Sequence, residues 1–130
     1  MATVAVDFDG VIHAYRHGWQ DGTIYDEPVP GALDAISALM ARGVAVFVHT
    51  TRDAETVAAW LAERGVPAVH GLDESVVFWD DPARVLVTPR KLPAVAYIDD
   101  RAIRFVDWPQ ALGELAEREG IALPDSAGPV

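Results

Sequence analysis

Two stretches of this chain put acidic side chains where a folded protein ordinarily avoids them. VAVDFDGVIH, residues 4–13, closes an apolar run with Asp7 and Asp9, one residue apart, and then Gly10. AVAYIDD, residues 94–100, closes another with Asp99 and Asp100. Like charges this close repel, and burying them is costly unless a cation, a proton or water compensates. One such pair reads as a solvated turn. Two pairs brought to the same place make a concentrated negative site, which a divalent cation with oxygen ligands stabilises, Mg²⁺ being the usual one. Two further polar residues adjoin apolar runs. Thr50 follows VFVH, and Lys91 stands in RKLPAVAYIDD. Of ten Lys and Arg residues nine are Arg, so Lys91 is alone of its kind. A lone lysine in an arginine-rich chain is either chance or the mark of a place where arginine's planar fork would not serve.

These residues need elements to position them. Thr3 to Phe8 is nearly all apolar, the mark of a strand buried on both faces. Val44 to Val48 and Ala94 to Ile98 read the same way. Between them lie helical patterns. Pro30 opens the first, with Ala32, Leu33, Ile36, Leu39 and Met40 on one face and Gly43 as its stop. Thr51 or Asp53 caps the second, which turns Val57, Ala58, Trp60 and Leu61 inward and ends at Gly65. Asp107, with Pro109 and Gln110 behind it, starts a last helix that runs to about Glu119. Strands alternating with amphipathic helices predict an α/β fold with a mainly parallel sheet. In such sheets ligands bind at the carboxyl ends of the strands, where Asp7, Asp9, Thr50, Asp99 and Asp100 would converge.

Other segments carry weaker patterns. His13, Tyr15, His17 and Trp19 alternate with Ala14, Arg16 and Gly18, and Asp21 to Thr23 suits a tight turn. Residues 11–27 are therefore expected to form a small β-hairpin flap. On such a strand His13 and His17 would stand ~13 Å apart, too far to share a metal. Their face, with Tyr15, would pack the flap or touch substrate. In 66–90, VPAVH reads as a short strand, and SVVFW and RVLVT as a hairpin around the turn Asp80-Asp81-Pro82. IRFV, 103–106, reads as an edge strand. His49 is expected to pack in the core or against a helix, and Trp60 in the core.

The bulk properties set limits. The chain has 130 residues, 51% of them hydrophobic, enough for one compact domain over 1–123 with a frayed tail at 124–130. No apolar run approaches the ~20 residues of a membrane span, and the start reads as a strand and not a leader, so a cytoplasmic location is expected. There are no cysteines, which excludes disulfides, thiolate metal sites and a cysteine nucleophile. A net charge of −10 repels long nucleic acid, while a phosphorylated small molecule or a nucleic-acid end remains compatible if a cation reverses the local field.

VAVDFDGVIH, VFVHTTR and RKLPAVAYIDD together resemble the ordered motifs of the haloacid dehalogenase superfamily, over roughly residues 3–106. The resemblance implies a Rossmann-like three-layer sandwich and a Mg²⁺-dependent phosphohydrolase. It casts Asp7 as the nucleophile that forms an aspartyl-phosphate. Asp9 becomes the acid that protonates the leaving oxygen and later the base that activates water. Thr50 would donate to the phosphoryl group, and Lys91 would neutralise phosphate and nucleophile. Asp7, the Asp9 carbonyl and the pair Asp99 and Asp100 would hold Mg²⁺, with Asp100 the favoured direct ligand. Asp9 must start protonated, which a neighbouring carboxylate favours. Neither 11–29 nor 66–90 is long enough for a cap domain, so the resemblance is to a capless (C0-type) member. That implies an open site suited to macromolecular ends or large ligands, or one covered by a second copy in a homo-oligomer. Lys91 is closer to Asp99 than is usual in the superfamily, so it is expected on a loop. Gly10, Thr51, Arg52, His13 and Tyr15 are candidate substrate contacts, and Thr51 is an alternative to Thr50.

Three other functions compete. A metal-dependent nuclease also clusters carboxylates, but Thr50 and Lys91 stand in phosphatase order and the surface is acidic. A phosphoacceptor like a response-regulator receiver uses Asp, Thr and Lys in another order and has no need of Asp9. An idle binding module would be expected to lack one of the motif residues, and none is missing.

Overall fold

The computed structural model describes residues 2–122, in two compact units, 2–100 and 101–122. The first unit holds β1 (Thr3–Asp7), α1 (Ala32–Ala41), β2 (Ala45–His49), α2 (Ala54–Glu63), β3 (Ala68–Val69), β4 (Val85–Thr88) and β5 (Ala96–Ile98). The five strands form one sheet in the order β3-β4-β2-β1-β5, with every pairing parallel. The α/β, Rossmann-like class expected from the sequence is the one observed.

Side-chain alternation divides the core in two. Val4, Val6, Val46, Val48, Val85 and Val87 face one side, where α1 brings Ile36 and α2 brings Val57, Ala58, Trp60 and Leu61. Both helices lie on this side because β1→α1→β2 and β2→α2→β3 step across the sheet in the same direction, and right-handed crossovers then share a face. The far face carries Ala5, Ala45, Phe47 and Leu86 beneath Trp79 and Leu92. The connection from β4 to β5, residues 89–95, contains no helix. β2, β3 and β4 lie on one side of β1 and β5 on the other, so the chain changes direction at β1. A crevice for ligands is expected there.

Several local expectations change. Residues 11–28 form no hairpin; β pairing there is limited to single bridges, Asp9 with His13 and His13 with Pro28. Side chains take the backbone amides that a ladder would have used. Asp26 accepts from the amides of Arg16 and Glu27, Asp21 from that of Thr23, and the Tyr25 hydroxyl from that of His17. Residues 75–79 are not a strand either. β4 pairs in parallel with β2 and β3, and Trp79 is buried instead, donating from Nε1 to the Arg84 carbonyl. The turn after Asp80 is present, with Asp81 accepting from the Ala83 amide. Pro30 stands ahead of the first helix, whose cap is Gly31 in a left-handed conformation. Asp53 caps α2, accepting from the Thr56 amide.

In the second unit α3 (Trp108–Glu119) starts as expected, with Asp107 accepting from the Gln110 amide at 2.8 Å. IRFV is not a strand. The Val106 amide donates instead to the Gln110 side chain, and the Phe105 ring meets the Trp108 ring edge-on. The tail 124–130 lies outside the described residues. Among those described, no helix is long and apolar enough to cross a membrane.

Candidate active site at the carboxyl ends of the strands

Asp7 ends β1, and the register that pairs Val6 with Ile98 sets Asp99 beside it. One ligand oxygen from each of Asp7, Asp99 and Asp100 can be chosen so that all lie within 4.8 Å of one another. Asp7 Oδ1 accepts from the Phe8 amide at 2.8 Å. Burial, followed by the charges of Asp99 and Asp100, outweighs that bond and pushes the Asp7 carboxyl up to about 6. Gly10 makes room for this cluster. Its φ is +85°, and a Cβ there would overlap the Asp100 carboxylate, 2.9 Å from Cγ. Gly10 was expected to touch substrate; in the structure the Asp100 carboxylate fills the space that a side chain there would take. Three hard oxygen donors converge at the place where the sheet order reverses. That donor set fits a Mg²⁺-like cation.

Asp9 faces different company. Immediately after β1 the chain curls tightly, with the amides of Ile12 and His13 both donating to the Phe8 carbonyl at 2.9 Å. The curl brings His13 Nδ1 to 2.8 Å from Asp9 Oδ1. From the end of β2, Arg52 Nε donates to both Asp9 oxygens, at 3.0 and 2.8 Å. A carboxylate neighbour was expected beside Asp9; its hydrogen-bond partners among the described residues are His13 and Arg52. Asp99 and Asp100 press on Asp7.

Arg52, expected as a substrate contact, is buried. Its Nη1 donates to the Gly22 carbonyl at 2.9 Å, and its guanidinium carbon lies 4.8 Å from the Trp19 ring centre and 5.7 Å from that of Tyr15. Nη2 is buried without a hydrogen-bond partner among the described residues. Tyr15, with φ 57°, holds the left-handed backbone rare for an aromatic residue, and its ring covers Arg52. His13 is fully buried against Phe8, Tyr25 and Trp60, where no substrate reaches it.

Thr50 is buried and Thr51 exposed, which favours Thr50 as the rim residue. Thr50 Oγ1 accepts from the Arg52 amide, and the Thr50 amide donates to the Thr88 carbonyl. Thr88 Oγ1 accepts from the Arg90 amide in the same way, so the neighbouring strands β2 and β4 end in matching Thr-x-Arg turns. Thr88 and Asp26 were not foreseen as parts of the rim. The repeated Thr-x-Arg was the signal for Thr88, hidden by the hairpin reading; Asp26 had none. Lys91 is exposed on the β4–β5 connection, as expected for a loop. Its ammonium lies 5.6 Å from the centre of the Tyr97 ring, two residues before Asp99. His49 is half-buried against that same ring and 3.2 Å from the Pro89 carbonyl, not in the core or on a helix.

A conserved protein of Bacteroides thetaiotaomicron has a solved structure similar to this one. The likeness covers 91% of this chain and 92% of that one, with TM-score 0.53 at 23% identity, and it concerns the fold. No protein-family model matches the chain, and no curated protein does.

Proposed function

We propose that this protein is a Mg²⁺-dependent phosphohydrolase acting through an aspartyl-phosphate on Asp7, as a capless member of the haloacid dehalogenase superfamily. The observation that carries the reading is the meeting of Asp7, Asp99 and Asp100 at the switch point of the sheet, with Asp9 two residues on and turned to Arg52. The cation would be held by these three carboxylates with the Asp9 carbonyl, and would neutralise charge on the phosphoryl oxygens and on Asp7.

In the first half-reaction an Asp7 oxygen attacks phosphorus, the bond to the leaving oxygen breaks, and Asp9 gives that oxygen a proton. In the second, water attacks the phosphorus of the aspartyl-phosphate and Asp9 takes its proton. Inorganic phosphate leaves and Asp7 is regenerated. Thr50 orients the phosphoryl group, and Lys91 offsets its charge as a compact ammonium. Phosphate monoesters hydrolyse so slowly in water that stabilising transition-state charge must supply most of the acceleration.

The test is phosphate release from p-nitrophenyl phosphate with Mg²⁺ and with EDTA, for the wild-type protein and Asp7→Asn. Turnover that needs Mg²⁺ and disappears in the variant is expected. Equal turnover in Asp7→Asn would remove the covalent mechanism and favour a metal-dependent nuclease.

A further inference from the structure

We propose that His13 is a positioning residue for Asp9, locked in its Nδ1–H tautomer so that proton exchange on Asp9 is confined to Oδ2. The inference rests on the acid/base role proposed for Asp9.

The tautomer follows from the partners of the ring. His13 Nε2 lies 3.0 Å from the Asp26 backbone nitrogen. A backbone N–H can only donate, so Nε2 accepts and carries no hydrogen. The single hydrogen of the neutral imidazole is therefore on Nδ1. It points at Asp9 Oδ1, 2.8 Å away. Oδ1 also takes the longer arm of the forked bond from Arg52 Nε, at 3.0 Å, so it faces two donors. Oδ2 has one donor among the bonds described, the same Nε at 2.8 Å, and keeps the capacity to hold and release a proton.

The lock is itself anchored. The Asp26 side chain is 6% exposed and accepts from the Arg16 amide at 2.9 Å and from Arg16 Nε at 3.0 Å. These bonds hold the Asp26 carboxyl well below the usual carboxylate range, so it stays an anion. With its side chain fixed in this way, Asp26 presents its N–H to the ring. The ring has little room to turn, being stacked on Phe8 with centroids 5.5 Å apart and met edge-on by Tyr25 at 5.3 Å. A buried histidine with both nitrogens satisfied is often structural only. Here one of its two partners is the side chain assigned the proton transfers, and the other removes the choice of tautomer.

Two measurements test this. The first needs no substitution. Long-range ¹H–¹⁵N correlation spectra of the wild-type protein at neutral pH should show a protonated Nδ1 and a bare Nε2 for His13; a protonated Nε2 would overturn the proposal. The second compares His13→Phe, which keeps a ring of similar size, with His13→Asn, which keeps a donor near the Nδ1 position but packs worse. His13→Phe should lose about 10- to 100-fold in kcat with KM within about twofold. His13→Asn should recover part of that kcat while melting lower than His13→Phe. A structural role predicts the opposite, with kcat following melting temperature. Wild-type kcat in His13→Phe would overturn the positioning role alone. Absence of turnover in the wild-type protein would overturn the phosphatase reading and the positioning role together.

Discussion

Arg52 and Asp9 are 43 residues apart in the chain, yet Arg52 Nε bonds both Asp9 oxygens, tying the end of β2 to the end of β1. The Arg52 side chain is only 4% exposed, so this is a largely desolvated pair. Such pairs contribute little net stability, but removing one partner strands the other.

Arg52→Ala should therefore destabilise the protein by about 3 kcal/mol in urea unfolding. Arg52→Lys keeps the charge but cannot bond Asp9 and the Gly22 carbonyl together. It should lose less stability and still lower kcat at least tenfold. Equal stability for Arg52→Ala and wild type would show that the pair does not hold these strand ends together.

Asp7 predicts a pH dependence of stability in metal-free protein. Its carboxyl is raised to about 6 in the fold, against an ordinary value of 3.8. Between those values the folded state binds more protons than the unfolded one, so stability falls as pH rises from about 4 through about 6 and stays lower above that. Asp7→Asn lacks this loss. In EDTA its advantage over wild type should grow across that window to about 1–2 kcal/mol, allowing for solvent screening of a half-exposed group. Thermal melts from pH 4 to 8 read the difference, and contributions from carboxylates outside the Asp7, Asp99 and Asp100 cluster cancel in it. Mg²⁺ should raise the wild-type melting temperature at pH 7 more than that of Asp7→Asn.

Gly10→Ala tests the cradle under Asp100. The positive φ costs about 1–2 kcal/mol for a residue with a Cβ. The Asp100 carboxylate, the far end of a flexible side chain, can swing aside. The variant should fold with a modestly lowered melting temperature and bind Mg²⁺ at least tenfold more weakly by calorimetry. Unchanged affinity would remove Asp100 from the ligand set.

Lys91→Ala should separate activity from stability. The side chain is exposed, with its ammonium over the Tyr97 ring, so its loss should shift the melting temperature little. Turnover of p-nitrophenyl phosphate should fall by about 100-fold, and Lys91→Arg should not restore it. Full activity in Lys91→Ala would make this lysine an ordinary surface charge.

The parts of the fold legible in the sequence were those determined by local pattern. β1 and β2 are continuous apolar runs. The inward residues of α2 recur at helical spacing, and Asp53 and Asp107 cap helices as their side chains allow. Asp7, Thr50, Asp99 and Asp100 were legible because each directly follows such a run. Residues 8–28 were not. Their alternating aromatics mimic a strand, but Asp21, Tyr25 and Asp26 take backbone amides two to ten positions away, and His13 takes that of Asp26 thirteen away, by contacts that no period encodes. The roles of Arg52 and His13 depended on that loop and on a contact between two strand ends, so type and spacing could suggest only substrate contacts or, for His13, flap packing. RVLVT was recognised as a strand, but its partner was misjudged because a parallel neighbour far along the chain leaves no turn to read.

The helix-free passage from β4 to β5 has a mechanical consequence. It crosses three strand spacings, ~14 Å, and returns along the strands by the ~10 Å that separates the levels of Asp7 and Val4. It must also clear the side chains of the strands beneath. Eight Cα steps, Thr88 to Ala96, reach at most about 26–29 Å. The straight line between those ends is ~17 Å, so about 10 Å of chain is left for rising over a face where β1 offers Ala5 and β2 offers Ala45, both fully buried. Small residues beneath keep that rise low, and larger ones there would use up the spare length. Lys91 hangs three residues into the span, so the approach of its charge to the acidic rim depends on where the connection lies as well as on its own four methylenes.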